Sequence, residues 1–270
     1  MAGCEALMVC TLDRPDAKLV PLLWLAAAAR GGGAVQVGLV APYLAYMRQD
    51  KVFRAGEIVS ARHFAALLGA SFDWLVTVDP HLHRIGSLGE IFTRPAIAVH
   101  AAPAIASWIG QAVRAPLLVG PDDESQQWVD DIASRCGADS IVLVKQRFGD
   151  HEVSIDASGL PTAAGRTPVL VDDMVSTART MLASARLLRE HGYPAPVCVG
   201  VHVLFAEAAY ADLQAVAVDI VTCDTVAHSR GRAPGSRQPA SGRHFRRQRV
   251  QETHYEQAHS AGNRLAGGAA

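Results

Sequence analysis

A chain of 270 residues, half of them apolar, 19% charged and 6% aromatic, can bury one large core or two ordinary ones, which excludes a fibrous or wholly disordered protein. Its net charge of -1 hides an asymmetry, because residues 227–270 carry eight Arg against only Glu252 and Glu256, whereas the first 226 residues hold 17 basic and 24 acidic side chains. The most apolar early stretch, residues 19–29, falls short of the roughly 20 residues a bilayer span needs and is expected as a buried helix. No basic leader precedes an apolar run, so the cytoplasm is the expected location, with no membrane partner. The five cysteines form no CxxC pair and are expected to be reduced thiols.

In chain order, short β-branched runs at residues 7–11, 35–40, 74–78, 96–99, 117–119, 140–144, 169–171, 197–203 and 219–222 read as strands. Between them, residues 19–30, 60–68, 126–136, 176–191 and 206–215 read as helices. The alternation predicts an α/β fold of two domains, each a mainly parallel sheet flanked by helices. The expected division is 1–102 and 103–226, placed where an alanine-rich segment with Pro103 follows the fourth strand, and 227–270 is expected as a basic, disordered tail. The tail has little aromatic interleaving, so a nucleic-acid partner is not expected.

Three segments carry chemistry. VLVDDMVSTART, residues 169–180, reads as an apolar strand ending in Asp172 and Asp173, then a turn that opens a helix. The N–H groups at a helix start can cradle a phosphate, Ser176, Thr177 and Thr180 add hydroxyl donors, and the acids can accept bonds from sugar hydroxyls. The plainer alternative is an ordinary strand end with Ser176 as helix N-cap. PYLAYMRQD, residues 42–50, follows the second strand and offers Arg48 and Gln49, with Lys51 and Arg54 just beyond, as donors suited to a polyphosphate. WLVTVDPHLHR, residues 74–84, brings Asp79, His81 and His83 to a strand end, where ligands collect in open α/β sheets. Two shorter stretches, PLLVGPDDESQQWV at 116–129 and IVLVKQRFG at 141–149, bring Asp122 and then Lys145 and Arg147 to further strand ends.

These segments, in this order, resemble the ribose-phosphate pyrophosphokinase family. The 169–180 stretch is also shared with type I phosphoribosyltransferases, but PYxxYxRQD resembles the kinases. The resemblance implies two phosphoribosyltransferase-like domains and transfer of pyrophosphate from ATP to ribose 5-phosphate, giving phosphoribosyl pyrophosphate and AMP. It implies Lys145 and Arg147 as catalytic cations on a flexible loop and Arg48 with Gln49 as the ATP contact. It further implies His81 and Asp122 as magnesium ligands, a ribose 5-phosphate site of Asp172, Asp173, Ser176, Thr177, Ala178, Arg179 and Thr180, and a homo-oligomer. The strand ends bearing these residues are expected to face one cleft. Family members have glycine where Ala178 and Arg179 stand, so this loop is expected to keep ordinary negative-φ dihedrals. Members also begin with further strands and an adenine-contacting segment, and end in a helix in place of the basic tail, so weak or absent activity is expected of this chain. A phosphoribosyltransferase and a non-catalytic regulatory member of the kinase family are the alternative readings.

Overall fold

The computed structural model describes residues 2–148, 152–156, 159–206 and 208–227; the basic segment from 228 onward lies outside the described residues. The chain divides into two compact units, one reaching to His100 and one starting at Ala101.

The first unit is built on a four-stranded parallel sheet in the order β1 (Glu5–Val9), β2 (Gln36–Ala41), β3 (Trp74–Val78), β4 (Ala96–Val99). Parallel neighbours need crossovers, and α1 (Pro15–Gly31) and α2 (Ser60–Ser71) supply the first two. β3 is buried along its whole length, as a central strand covered on both faces must be. Close packing against it depends on Gly38, whose register partner is Trp74. A Cβ on Gly38 would meet the indole at 2.0 Å, so only glycine leaves room for that ring.

α1 departs from the buried helix expected of residues 19–29. Leu22, Ala26 and Ala29 face the core, but Trp24 is 72% exposed and Leu25 59% exposed. A helix that is apolar all round can bury only the side that meets its neighbours, here β2 and α2.

The second unit holds a five-stranded parallel sheet in the order β11 (Asp219–Thr222), β10 (Val197–Val203), β9 (Thr167–Val175), β5 (Pro116–Gly120), β6 (Asp139–Val142). Helices α3 (Ala102–Ala112), α4 (Gln126–Cys136), α5 (Arg179–Glu190) and α6 (Ala209–Val216) flank it. The largest core cluster joins Leu117, Val119 and Leu170 of the sheet to Met181, Ala185 and Leu188 of α5. From β5 the chain first moves outward to β6, then returns to place β9 on the other side of β5 and continues to β10 and β11. The direction of winding therefore reverses between β5 and β9, and the carboxyl ends of those strands flank a switch point, the usual position of a ligand crevice in open α/β sheets. Two parallel sheets flanked by helices are the fold class expected from the alternation of elements.

Three local expectations need correction. Residues 140–144 are not one strand: the ladder stops at Val142, where the fully buried Leu143 donates its N–H to Gly120 O at 2.9 Å. That pivot releases the chain into an antiparallel ribbon, β7 (Val144–Phe148) with β8 (Glu152–Asp156), and Lys145 and Arg147 lie on β7. The strand expected over 169–171 runs instead to Val175, because β10 supplies ladder partners that far: Asp172 pairs with Gly200, Met174 with His202 and Val175 with Val203. α5 then begins at Arg179, not Ser176.

Candidate active site

In the first unit, the loop after β2 carries Arg48 and Gln49. Arg48 is exposed. Gln49 is tied to the start of α2: its carboxamide oxygen accepts the Ser60 hydroxyl, and its carbonyl accepts the Ala61 N–H at 3.2 Å. The bound carboxamide is thereby oriented, with its NH2 as the remaining donor group. Next to it Asp50 is buried and accepts two hydrogen bonds from Arg84, at 3.0 and 3.2 Å. The aromatic ring of Phe53 lies under Lys51 and Arg84, with Nζ and Cζ 5.2 and 5.9 Å from its centroid. Glu57 fixes the following turn by accepting the N–H groups of Phe53 and Arg54 at 3.2 and 3.1 Å.

The loop after β3 is built as tightly. Asp79 takes a positive φ of 32°, donates its N–H to Val99 O at 3.0 Å, and has His100 Nδ1 2.9 Å from its carboxylate. This sharp turn presents His81, half-buried, and His83, exposed, side by side. His83 Nε2 lies 3.1 Å from His81 Nδ1.

In the second unit the switch point is acidic. Burial pushes the Asp172 carboxyl well above the usual range, and the nearby charges of Asp173 and Asp122 push it further. The neighbouring Asp173 side chain, as a hydrogen-bond partner, raises it too, while the Met174 N–H works in the opposite direction. Asp122 is thus placed near the β9 acids by the short turn of Asp123–Ser125 after β5, where Ser125 donates its N–H to Asp122 O at 3.0 Å.

The loop from Ser176 to Ala178 is braced by backbone bonds: Leu204 N–H to Val175 O at 2.8 Å, Ala206 N–H to Ser176 O at 3.1 Å, and Leu182 N–H to Ala178 O at 2.8 Å. These contacts force Ala178 into the left-handed region at φ 55°, against the expectation of ordinary dihedrals. The substitution of alanine for the family's glycine changes the energy of the turn, not its shape. No side-chain cap bonds the start of α5, so the alternative role of Ser176 as N-cap is not realised. Ser176 and Thr180 are half-buried and Thr177 and Arg179 exposed.

Sequence reasoning missed the Asp50–Arg84 pair, whose members are 34 positions apart. It also missed His202, buried on β10 with Nδ1 2.9 Å from the Thr225 hydroxyl, which itself donates to Val201 O at 2.7 Å. The described cysteines are unbridged, and burial pushes the Cys198 thiol up to about 12, leaving it a packed, unreactive hydrophobe.

A metal can be tested against these donors by their chemistry. The carboxylate oxygens of Asp122, Asp172 and Asp173 form an anionic, oxygen-only set, which fits the hard-ligand demands of magnesium.

A parallel sheet with carboxylates at both strands of its switch point, and a hydroxyl-bearing loop running from one of those strands into a helix, defines a phosphoribosyltransferase-type α/β unit. The family model for the phosphoribosyl transferase domain matches residues 87–230, and that for the N-terminal domain of ribose phosphate pyrophosphokinase matches residues 1–71. The ribose-phosphate pyrophosphokinase of Methanopyrus kandleri is 37% identical over 214 residues, 78% of this chain and 72% of that one. That of Methanosarcina mazei is 38% identical over 213 residues, 78% of this chain and 70% of the relative. The crystal structure of phosphoribosylpyrophosphate synthetase from Mycobacterium smegmatis superposes with a TM-score of 0.73 at 26% identity, covering 83% of this chain and 74% of that one. The chain belongs to the ribose-phosphate pyrophosphokinase family. Among the described residues, no helix is long and apolar enough to cross a membrane.

Proposed function

We propose that the chain transfers the β,γ-pyrophosphoryl group of ATP to the anomeric hydroxyl of ribose 5-phosphate. The observation that carries this reading is the Asp122, Asp172 and Asp173 cluster beside the Ser176–Thr180 loop at a switch point, in a member of this family. The anomeric hydroxyl oxygen attacks the β-phosphorus and releases its proton to solvent, the bond from that phosphorus to the α,β-bridging oxygen breaks, and AMP leaves. Asp172 and Asp173 accept the ribose hydroxyls, and the hydroxyls of Ser176, Thr177 and Thr180, with the backbone of Ala178 and Arg179, hold the 5-phosphate. Arg48 and the free amide donors of Gln49 hold the nucleotide, and Lys145 and Arg147 offset charge that builds on the transferring group. His81 and Asp122 would hold magnesium, which when bound neutralises the polyphosphate charge. A cytoplasmic homo-oligomer without membrane or nucleic-acid partners is part of this reading.

The deciding experiment mixes the protein with ATP, magnesium and ribose 5-phosphate and follows AMP. Ribose-dependent AMP release supports the proposal. No AMP, with phosphoribosyl pyrophosphate consumed when a nucleobase is added, would establish a transferase instead, and no turnover of either kind a non-catalytic member.

A further inference from the structure

We propose that the buried pair His202 and Thr225 positions the loop Ser176–Thr180 for the 5-phosphate, an inference that rests on the reading of that loop as the ribose 5-phosphate site. His202 is 1% exposed and stands in β10 between Val201 and Val203, both buried, in a strand otherwise made of valine, cysteine and glycine. An imidazole taken out of water costs free energy unless it is hydrogen-bonded, so its place in such a strand calls for a partner. Thr225, itself buried, supplies one: its hydroxyl oxygen lies 2.9 Å from His202 Nδ1.

The direction of that bond follows from the single proton of the hydroxyl. Thr225 Oγ1 also lies 2.7 Å from Val201 O, and a carbonyl accepts but never donates, so the hydroxyl proton is committed there. His202 Nδ1 must then carry the hydrogen of the other bond. Donation runs one way, from imidazole to hydroxyl to backbone, and a hydroxyl held at both ends has its rotamer fixed. An apolar side chain at either position would serve packing; the hydrogen-bonded pair adds direction, which packing lacks.

What the pair fastens is the carboxyl end of β10. The ladder from β10 to β11 runs only as far as Gly200, opposite Thr222, whereas the ladder to β9 continues to His202 opposite Met174 and Val203 opposite Val175. Past that point the segment following β11 takes over: Cys223 donates its N–H to Gly200 O at 3.2 Å, and Thr225 its hydroxyl to Val201 O. From the strand end so secured, the Leu204 N–H reaches Val175 O and the Ala206 N–H reaches Ser176 O, the bonds that brace the start of the loop. Slack at Val201 and His202 is thus passed within a few residues to Ser176, and donors must be held closely in place to bind a phosphate well.

The test compares two pairs of variants in the full chain. Thr225→Val keeps the shape and removes the hydroxyl, whereas Thr225→Ser keeps the hydroxyl; His202→Gln moves the donor away from the Nδ1 position, whereas His202→Asn holds it there. Binding of ribose 5-phosphate is read by calorimetry, kcat and the KM of each substrate by AMP release, and Tm is recorded for every variant. Thr225→Val and His202→Gln should lose roughly tenfold in affinity for ribose 5-phosphate and raise its KM to match, with kcat and the KM for ATP changed less than about threefold. Thr225→Ser and His202→Asn should lie near wild type. No difference within either pair, or equal losses for ATP and ribose 5-phosphate, would overturn the inference, because a purely structural pair lowers Tm without favouring one substrate. Should Thr225→Val not fold, the His202 pair decides on the same terms. Wild type that binds no ribose 5-phosphate would instead sink the reading of the loop, and this inference with it.

Discussion

Arg84 donates to both carboxylate oxygens of Asp50, at 3.0 and 3.2 Å, and so ties the loop bearing Arg48 and Gln49 to the loop bearing His81 and His83. The side chain of Asp50 is only 1% exposed, whereas Arg84 is 45% exposed. Removing Arg84 strands a buried carboxylate, which costs more than removing a partner that water can replace. Arg84→Ala should destabilise by about 1–2 kcal/mol after allowance for the exposed guanidinium, and raise the KM for ATP more than it lowers kcat. Urea unfolding with steady-state kinetics checks both; an unchanged KM would detach the pair from nucleotide binding.

The acid cluster should cost stability in exchange for its chemistry. The carboxyl of Asp172 titrates above its unfolded value, chiefly through burial, so the stability it contributes is fully present below the unfolded pKa and is lost as pH rises through the folded one. Asp172→Asn should therefore raise Tm by a few degrees at pH 7, have little effect near pH 4, and weaken ribose 5-phosphate binding at least tenfold. A lower Tm for the variant at pH 7 would contradict the direction of the shift.

Ala178 allows opposing energies to be weighed. Glycine at φ 55° would release about 1–2 kcal/mol of left-handed strain. It would also lose about 0.8 kcal/mol for a buried methyl and about 0.4–1 kcal/mol through the freer unfolded chain. Ala178→Gly should thus be nearly neutral, within about 0.5 kcal/mol, while Ala178→Val, β-branched in a left-handed turn, should cost more than about 2 kcal/mol. Chemical denaturation of the two variants decides.

Gly38→Ala should be among the most damaging small changes, because its methyl would stand 2.0 Å from Trp74, itself a buried core residue. We expect a loss of about 2–4 kcal/mol and blue-region changes in tryptophan fluorescence as the indole moves. A double variant, Gly38→Ala with Trp74→Leu, should recover part of that loss; no recovery would place the damage elsewhere.

If Lys145 offsets charge in the transition state, Lys145→Ala should lower kcat about 100- to 1000-fold with little change in the KM for ATP. A matching rise in KM would assign it to ground-state binding instead.

By itself the sequence determined the elements whose signals are local. The apolar runs at Trp74–Val78, Val197–Val203 and Asp219–Thr222, and the amphipathic stretch Gln126–Cys136, form elements with the bounds their patterns predict, because period and flanking polar residues suffice there. The motif residues were legible too, since a strand end followed by acids, hydroxyls or histidines has few purely structural uses. Tertiary structure decided the rest. Asp172 lies within a strand because β10 extends beyond the point where local composition would end β9, and Gly200 across the ladder leaves space for Val175, whose Cγ2 a Cβ would meet at 2.8 Å. The ribbon carrying Lys145 and Arg147 and the alanine-rich helix Ala102–Ala112 were hidden in the sequence, the first because its partner strand supplies half its hydrogen bonds, the second because Pro103 reads as a breaker yet suits a helix's first turn. The left-handed Ala178, the Asp50–Arg84 tie and the apposed His81 and His83 rings arise from packing and hydrogen bonds that a linear pattern does not encode.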